Sequence, residues 1–202
     1  MQRLYRGAVF RGDSTKKVVY LTFDDGPVPQ ITPLLLDILR DKKVPATFFM
    51  VGENAERYPE LVQRVLAEGH QVGNHSYTHM RGTEHTVDEY IANVKKSDKL
   101  LYGTRLFRPP YGRLTLKQKR ALINEGYTIV LWDVLTHDYD ASYAPQKMLD
   151  IVQRFTRNGS IINFHDSVKS GERTLAAIPL VIDWLHYKGY EFERIGSIDG
   201  RH

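Results

Sequence analysis

The chain has 202 residues, 42% of them apolar, with 28 Lys and Arg against 24 Asp and Glu, and no Cys. That length buries one sizeable core without cross-links, and the lack of cysteine excludes disulfides, thiolate metal ligands and cysteine nucleophiles. A formal charge of +4, spread over scattered basic residues, is no nucleic-acid footprint.

Short apolar runs read as strands over Lys17–Phe23, Ala46–Val51, Gln71–Asn74, Leu106–Arg108, Tyr127–Trp132, Ser160–Phe164 and Tyr190–Phe192. Between them, helices are predicted over Pro33–Lys42, Pro59–Glu68, Val87–Tyr102, Leu116–Glu125, Pro145–Arg157 and Thr174–Lys188. Pro33, Pro59 and Pro145 suit first helical positions, and Thr86 with Glu89 has the spacing of a capping box. Gly69, Gly126, Gly159 and Gly189 each stand between a helix-like stretch and the next strand, where a left-handed residue is needed.

This alternation predicts one domain, 1–202 with a core of about 17–193, built as a parallel sheet covered by helices. A closed or nearly closed barrel is expected, with an open doubly wound sheet as the alternative. No run approaches the roughly 18 apolar residues of a membrane span, and Met1–Arg11 contains no apolar stretch of signal-peptide length. The expectation is a cytoplasmic protein, or an exported one whose leader has been removed; nothing in the sequence speaks to oligomeric state.

Polar clusters close the predicted strands. Thr22-Phe23-Asp24-Asp25-Gly26-Pro27 follows the first, and Asn74-His75-Ser76-Tyr77-Thr78-His79 the third. Arg108-Pro109-Pro110-Tyr111-Gly112 closes the fourth, Trp132-Asp133 with His137-Asp138 follows the fifth, and His165-Asp166 the sixth. Carboxyl ends of parallel strands share one rim, where active sites sit. His75 and His79, four apart, can reach one ion. Asp25 completes two imidazoles and a carboxylate, a set that leaves a coordination place open, as in catalytic zinc. Asp24 then faces the substrate water as a base, although Asp-Asp-Gly-Pro also reads as a plain turn.

These four motifs, Thr22–Pro27, His75–His79, Arg108–Gly112 and His165-Asp166, resemble in order and spacing those of the polysaccharide deacetylase (NodB-homology) family of carbohydrate esterases, over roughly Lys17 to Glu193. The resemblance implies a distorted parallel β/α barrel with about seven β/α units. It implies a metal triad of Asp25, His75 and His79, usually with zinc and sometimes cobalt or nickel. It also implies Asp24 as catalytic base paired with Arg108, His165 as catalytic acid, and the Tyr111 N–H as an oxyanion donor. The implied substrate is an N-acetylated glycan such as chitin oligomers or peptidoglycan; the alternatives are an O-acetyl esterase, a small-molecule amidase or a catalytically weak glycan binder. Two departures stand out: Leu135 where an aspartate is expected near the acid histidine, and Asn163 where a leucine would line the acetyl-methyl pocket. Asp133, Asp138 and Asp166 are candidate hydrogen-bond partners of His165. Trp132 and Trp184 are read as core, and Tyr111 as a substrate contact. His70, His85, His137, His186 and His202 are read as surface or packing residues, His137 being the first exception to consider because it stands on the rim, with the loops Met80–His85 and Asp138–Ala144 shaping the groove.

Overall fold

The computed structural model describes residues 7–197. Eight strands form one sheet: β1 Val18–Asp24, β2 Thr47–Met50, β3 Gln71–Asn74, β4 Leu106–Phe107, β5 Thr128–Ile129, β6 Val134–Leu135, β7 Ser160–His165 and β8 Glu191–Phe192. Their order is β5-β4-β3-β2-β1-β7-β6, with β8 paired to β1, and every ladder is parallel. The helices are α1 Thr32–Lys42, α2 Gly52–Arg57, α3 Pro59–Ala67, α4 Val87–Lys96, α5 Leu116–Asn124, α6 Pro145–Phe155 and α7 Gly171–Tyr187.

The sheet curls into a distorted barrel. β5 and β6 stand at opposite ends of the strand order, yet the chain from Ile129 to Val134 reaches at most about 18 Å when fully extended. The N-terminal segment fills the gap: Val9 bridges to Val130 and Arg11 to Ser160. This is the barrel expected from the sequence, with the open sheet excluded.

All seven residues of β1 are buried, as expected of a parallel strand covered on both faces. Period-two alternation sorts them. Val19, Leu21 and Phe23 pack in the large core with side chains of α1, α6 and α7. Val18 and Tyr20 join Phe49, Val130 and Ile161 in a separate cluster on the other face, the barrel interior. Continuing up that face come Thr22 and Asp24, paired in register with Asn163 and His165 of β7. The interior is thus apolar at its base and polar at the top.

Helix termini follow the sequence signals. The Thr86–Glu89 capping box is present, and a second joins Thr115 to Gln118. Two elements were not anticipated, α2 and β6. In addition, α4 ends at Lys96 rather than Tyr102. His202 lies outside the described residues. No described helix is long and apolar enough to cross a membrane.

Candidate active site

The carboxyl ends of β1, β3, β4 and β7 bring Asp24, Asp25, His75, His79, Arg108 and His165 together, as the strand-end argument predicts. A cavity of about 240 Å³ is lined by Asp24, Asp25, His75, His79, Tyr111, Trp132, Leu135, Tyr139, His165, Ser167 and Lys169. A larger hollow of about 410 Å³ lies at the opposite strand ends, beside Leu39, Val44 and His70, and holds none of these groups.

Asp25, His75 and His79 offer one donor atom each, all within 4.8 Å of one another. Asp25 Oδ1 lies 3.2 Å from Nε2 of His79 and 3.6 Å from Nε2 of His75; it is buried and accepts no hydrogen bond. The Nδ1 of His75 is 2.7 Å from the carbonyl of Arg108. A carbonyl only accepts, so Nδ1 carries the proton and Nε2 presents its lone pair. A buried carboxylate oxygen without a donor, facing two imidazole nitrogens, fits a divalent cation with coordination places left over. Burial pushes Asp25 up, but the combined pull of His79, His165 and His75 wins and holds it well below the usual carboxylate range. Burial lowers His75 to about 4, which keeps it neutral, the form that binds metal.

The backbone around these donors is unusual. Asp25 (φ 83°), Ser76 (φ 63°), His79 (φ 53°) and Tyr111 (φ 59°) all sit in the left-handed region that side chains disfavour. The surrounding structure imposes this. The N-terminus of α2 donates from Gly52 and Glu53 to the carbonyls of Ser76 and Tyr77, and Asn54 Nδ2 donates to the Asp25 carbonyl at 2.8 Å. Asn74 Oδ1 accepts from Ser76 N. A Cβ on Gly52 would collide with Ser97 Oγ and Tyr77, so this close approach requires glycine.

Asp24 and Arg108 form a buried ion pair, Arg108 Nη1 to Asp24 Oδ1 at 2.7 Å. Arg108 is fully buried, and its remaining donors reach the carbonyls of Val130 and Leu131. Asp138 Oδ1 lies 2.7 Å from His165 Nδ1. Burial alone would lower the His165 pKa, but the hydrogen bond and charge of Asp138, with help from Asp25 and Asp24, raise it to about 9.

Several sequence expectations need correction. Asp133 is no partner of His165: its carboxylate holds Arg157, Ser160 Oγ and the Ile161 N–H at the other end of β7. Asp166 also faces away, accepting from Gly26 N and Thr32 Oγ1 behind the Asp25 turn. Burial raises its pKa to about 7. Asn163 does not line an acetyl-methyl pocket; it is fully buried beneath the cavity, bonded to Asp24. Trp132 lines the cavity rather than serving only as core, whereas Trp184 packs on the large core as expected. Tyr111 is half exposed on the rim, edge-on to His79 and beneath Arg81. Tyr139, which sequence reasoning missed, lines the cavity with its ring edge-on to His165 and its hydroxyl 2.9 Å from His137 Nδ1. His70 accepts from Ala46 N in the core, and His186 packs on Phe192.

Fold and site together define a parallel β/α barrel whose rim carries three donors placed to hold a metal ion. The comparisons narrow this. The polysaccharide deacetylase family model matches residues 11–130, and the chain belongs to that family, which is metal-dependent. It is 35% identical to a peptidoglycan-N-acetylglucosamine deacetylase of Bacillus cereus, over 94% of this chain and 70% of that one. It is 33% identical to a chitooligosaccharide deacetylase of Sinorhizobium fredii, over 92% of this chain and 94% of that one. The crystal structure of the Bc1960 peptidoglycan N-acetylglucosamine deacetylase superposes with a TM-score of 0.92 at 32% identity, covering 97% of this chain and 94% of that one.

Proposed function

We propose that this chain hydrolyses the N-acetyl groups of a glycan containing N-acetylglucosamine, peptidoglycan or a chitin oligomer, using a divalent ion on Asp25, His75 and His79. Zinc is the first choice, with cobalt and nickel as substitutes. The observation that carries this reading is the meeting, in one cavity, of three convergent donors, an Arg-held carboxylate and an Asp-held histidine.

When bound, the ion supplies Lewis acidity to the acetamide carbonyl and acidifies a water. Asp24, fixed by Arg108, would accept the proton of the water that attacks the carbonyl carbon. The Tyr111 backbone N–H steadies the oxyanion. His165 keeps Nδ1–H on Asp138 and gives the proton on Nε2 to the leaving amine. Its raised pKa keeps it protonated at neutral pH, as a general acid requires. Trp132, Tyr139 and Tyr111 offer apolar faces to sugar rings around the cavity.

The test is acetate release from chito-oligosaccharides and peptidoglycan fragments by metal-loaded protein. Chelation should abolish turnover and zinc, cobalt or nickel should restore it, while Asp24→Asn should lower kcat by about two to four powers of ten. Turnover indifferent to chelation and to Asp24→Asn would refute the reading. Rates on acetylated xylan or small esters far above those on N-acetyl sugars would transfer the site to O-deacetylation.

A further inference from the structure

Beneath the cavity, the interior rung one step below Asp24 and His165 is made by Thr22 of β1 and Asn163 of β7, register partners across the ladder. The Asn163 side chain is fully buried and outside the cavity wall. Its Nδ2 lies 3.1 Å from Asp24 Oδ2, while its Oδ1 faces Arg108 Nη1 and the Thr22 hydroxyl. Only this orientation of the amide pairs every group. The reverse would set its oxygen against the Asp24 carboxylate and its NH2 against the guanidinium.

We infer that Asn163 is a positioning residue for the base: with Arg108 on Oδ1 and Asn163 on Oδ2, the Asp24 carboxylate is clamped from β4's end and from β7 at once. The inference rests on the proposed deacetylase reading for Asp24's role. A single donor on one oxygen leaves a carboxylate free to turn about its Cβ–Cγ bond. Two donors on different oxygens fix its plane, so the lone pairs left over keep one direction. Apolar and acidic residues at position 163 both fail here. A leucine has no donor for Oδ2, and an aspartate sets a second carboxylate against the first. Only a side chain that donates and accepts side by side bridges Asp24 to Arg108 and Thr22. Asn163 touches none of Asp25, His75 or His79, so its contribution falls on proton transfer and not on ion or sugar binding.

The test compares wild type with Asn163→Leu, Asn163→Ala and Thr22→Val, the last removing a support of the amide while leaving both donors on Asp24. For each, kcat and KM are measured on a chito-oligosaccharide and on 4-nitrophenyl acetate, zinc affinity by competition with a chromophoric chelator, and Tm by calorimetry. The small ester needs the same base without glycan recognition. Wild-type ester turnover without any glycan turnover therefore refutes the glycan assignment and still reads the clamp. Loss of a hydrogen bond to a charged group predicts a kcat about ten- to a hundredfold lower for Asn163→Leu and Asn163→Ala. KM and zinc affinity should stay within about twofold of wild type. Thr22→Val should lower kcat by a smaller factor, and it decides the matter if the Asn163 variants do not fold. Crystals of Asn163→Leu should show the Asp24 carboxylate rotated. Folded variants with wild-type kcat, or losses carried by KM or by zinc affinity, would overturn the clamp.

Discussion

Asp138 holds His165 twice: its Oδ1 lies 2.7 Å from the ring Nδ1 and its Oδ2 2.6 Å from the backbone N–H of the same residue. One carboxylate therefore fixes both the imidazole and the strand end that carries it. Thr174 Oγ1 donates to the same Oδ2 and Arg173 grips the Asp138 carbonyl, so the acid is anchored to α7.

Removing that charge has a definite direction in pH. His165 acts protonated, so activity is lost as pH rises through its pKa of about 9. Asp138→Asn keeps an acceptor for Nδ1–H but takes away the charge that works against burial. Its alkaline limb should move to lower pH, with kcat at pH 8 lowered accordingly. A kcat/KM profile from pH 5 to 10 checks this, and an unmoved limb would show that another group sets it. In chelated protein the raised value also contributes stability that is full below 6.5 and lost as pH climbs to about 9, measurable by urea titration at the two ends.

Asp166 is raised for a different reason. Its carboxyl is raised from 3.8 to about 7, first by burial. The folded state therefore binds a proton that the unfolded state releases, and stability falls as pH rises from 3.8 to about 7. Asp166→Asn keeps an acceptor for the Gly26 N–H and carries no charge. It should stabilise chelated protein at pH 8, with an upper bound of about 4 kcal/mol, and do nothing at pH 4. Equal stabilisation at both pH values would count against a buried ionisation penalty.

Arg108→Ala would leave Asp24 as an unpaired buried carboxylate. The expected loss is about 3–5 kcal/mol by urea denaturation, together with loss of turnover. A stability change under about 1 kcal/mol would mean that water takes over the guanidinium's role.

Gly52→Ala adds a methyl where Ser97 and Tyr77 stand. Overpacking of this kind costs about 1–3 kcal/mol, and here the strain falls on the loop that carries His75 and His79. Zinc affinity should drop along with Tm, as read by calorimetric titration. Thr86→Ala serves as the control: it removes an exposed cap, costs about 1 kcal/mol and should leave affinity and kcat alone.

The strands, the rim and the donors were legible because their signals are local. Buried runs such as Val18–Asp24 need only apolar continuity, and His75 with His79 needs only a spacing. What sequence missed depends on approach in space. The six residues of α2 begin at Gly52 directly after β2 and carry too little periodicity to stand out, although their N–H groups hold the histidine loop. β6 has only two residues, detached from the apolar run before it where the chain passes from one sheet edge to the other. Among the aspartates, spacing could not separate Asp133, Asp138 and Asp166, because which one meets His165 depends on where the 136–144 loop folds back. Asn163 was misjudged for a similar reason: the strand pattern gives its face, while burial below the cavity comes from the rung above.

The left-handed backbone at Asp25 and His79 has a bearing on laboratory evolution. Non-glycine residues in that region cost on the order of 1 kcal/mol each. A campaign that selects for heat resistance alone will accordingly enrich glycine at both positions, hardening the barrel while discarding two of the three donors. Only a screen that scores turnover alongside melting would keep them.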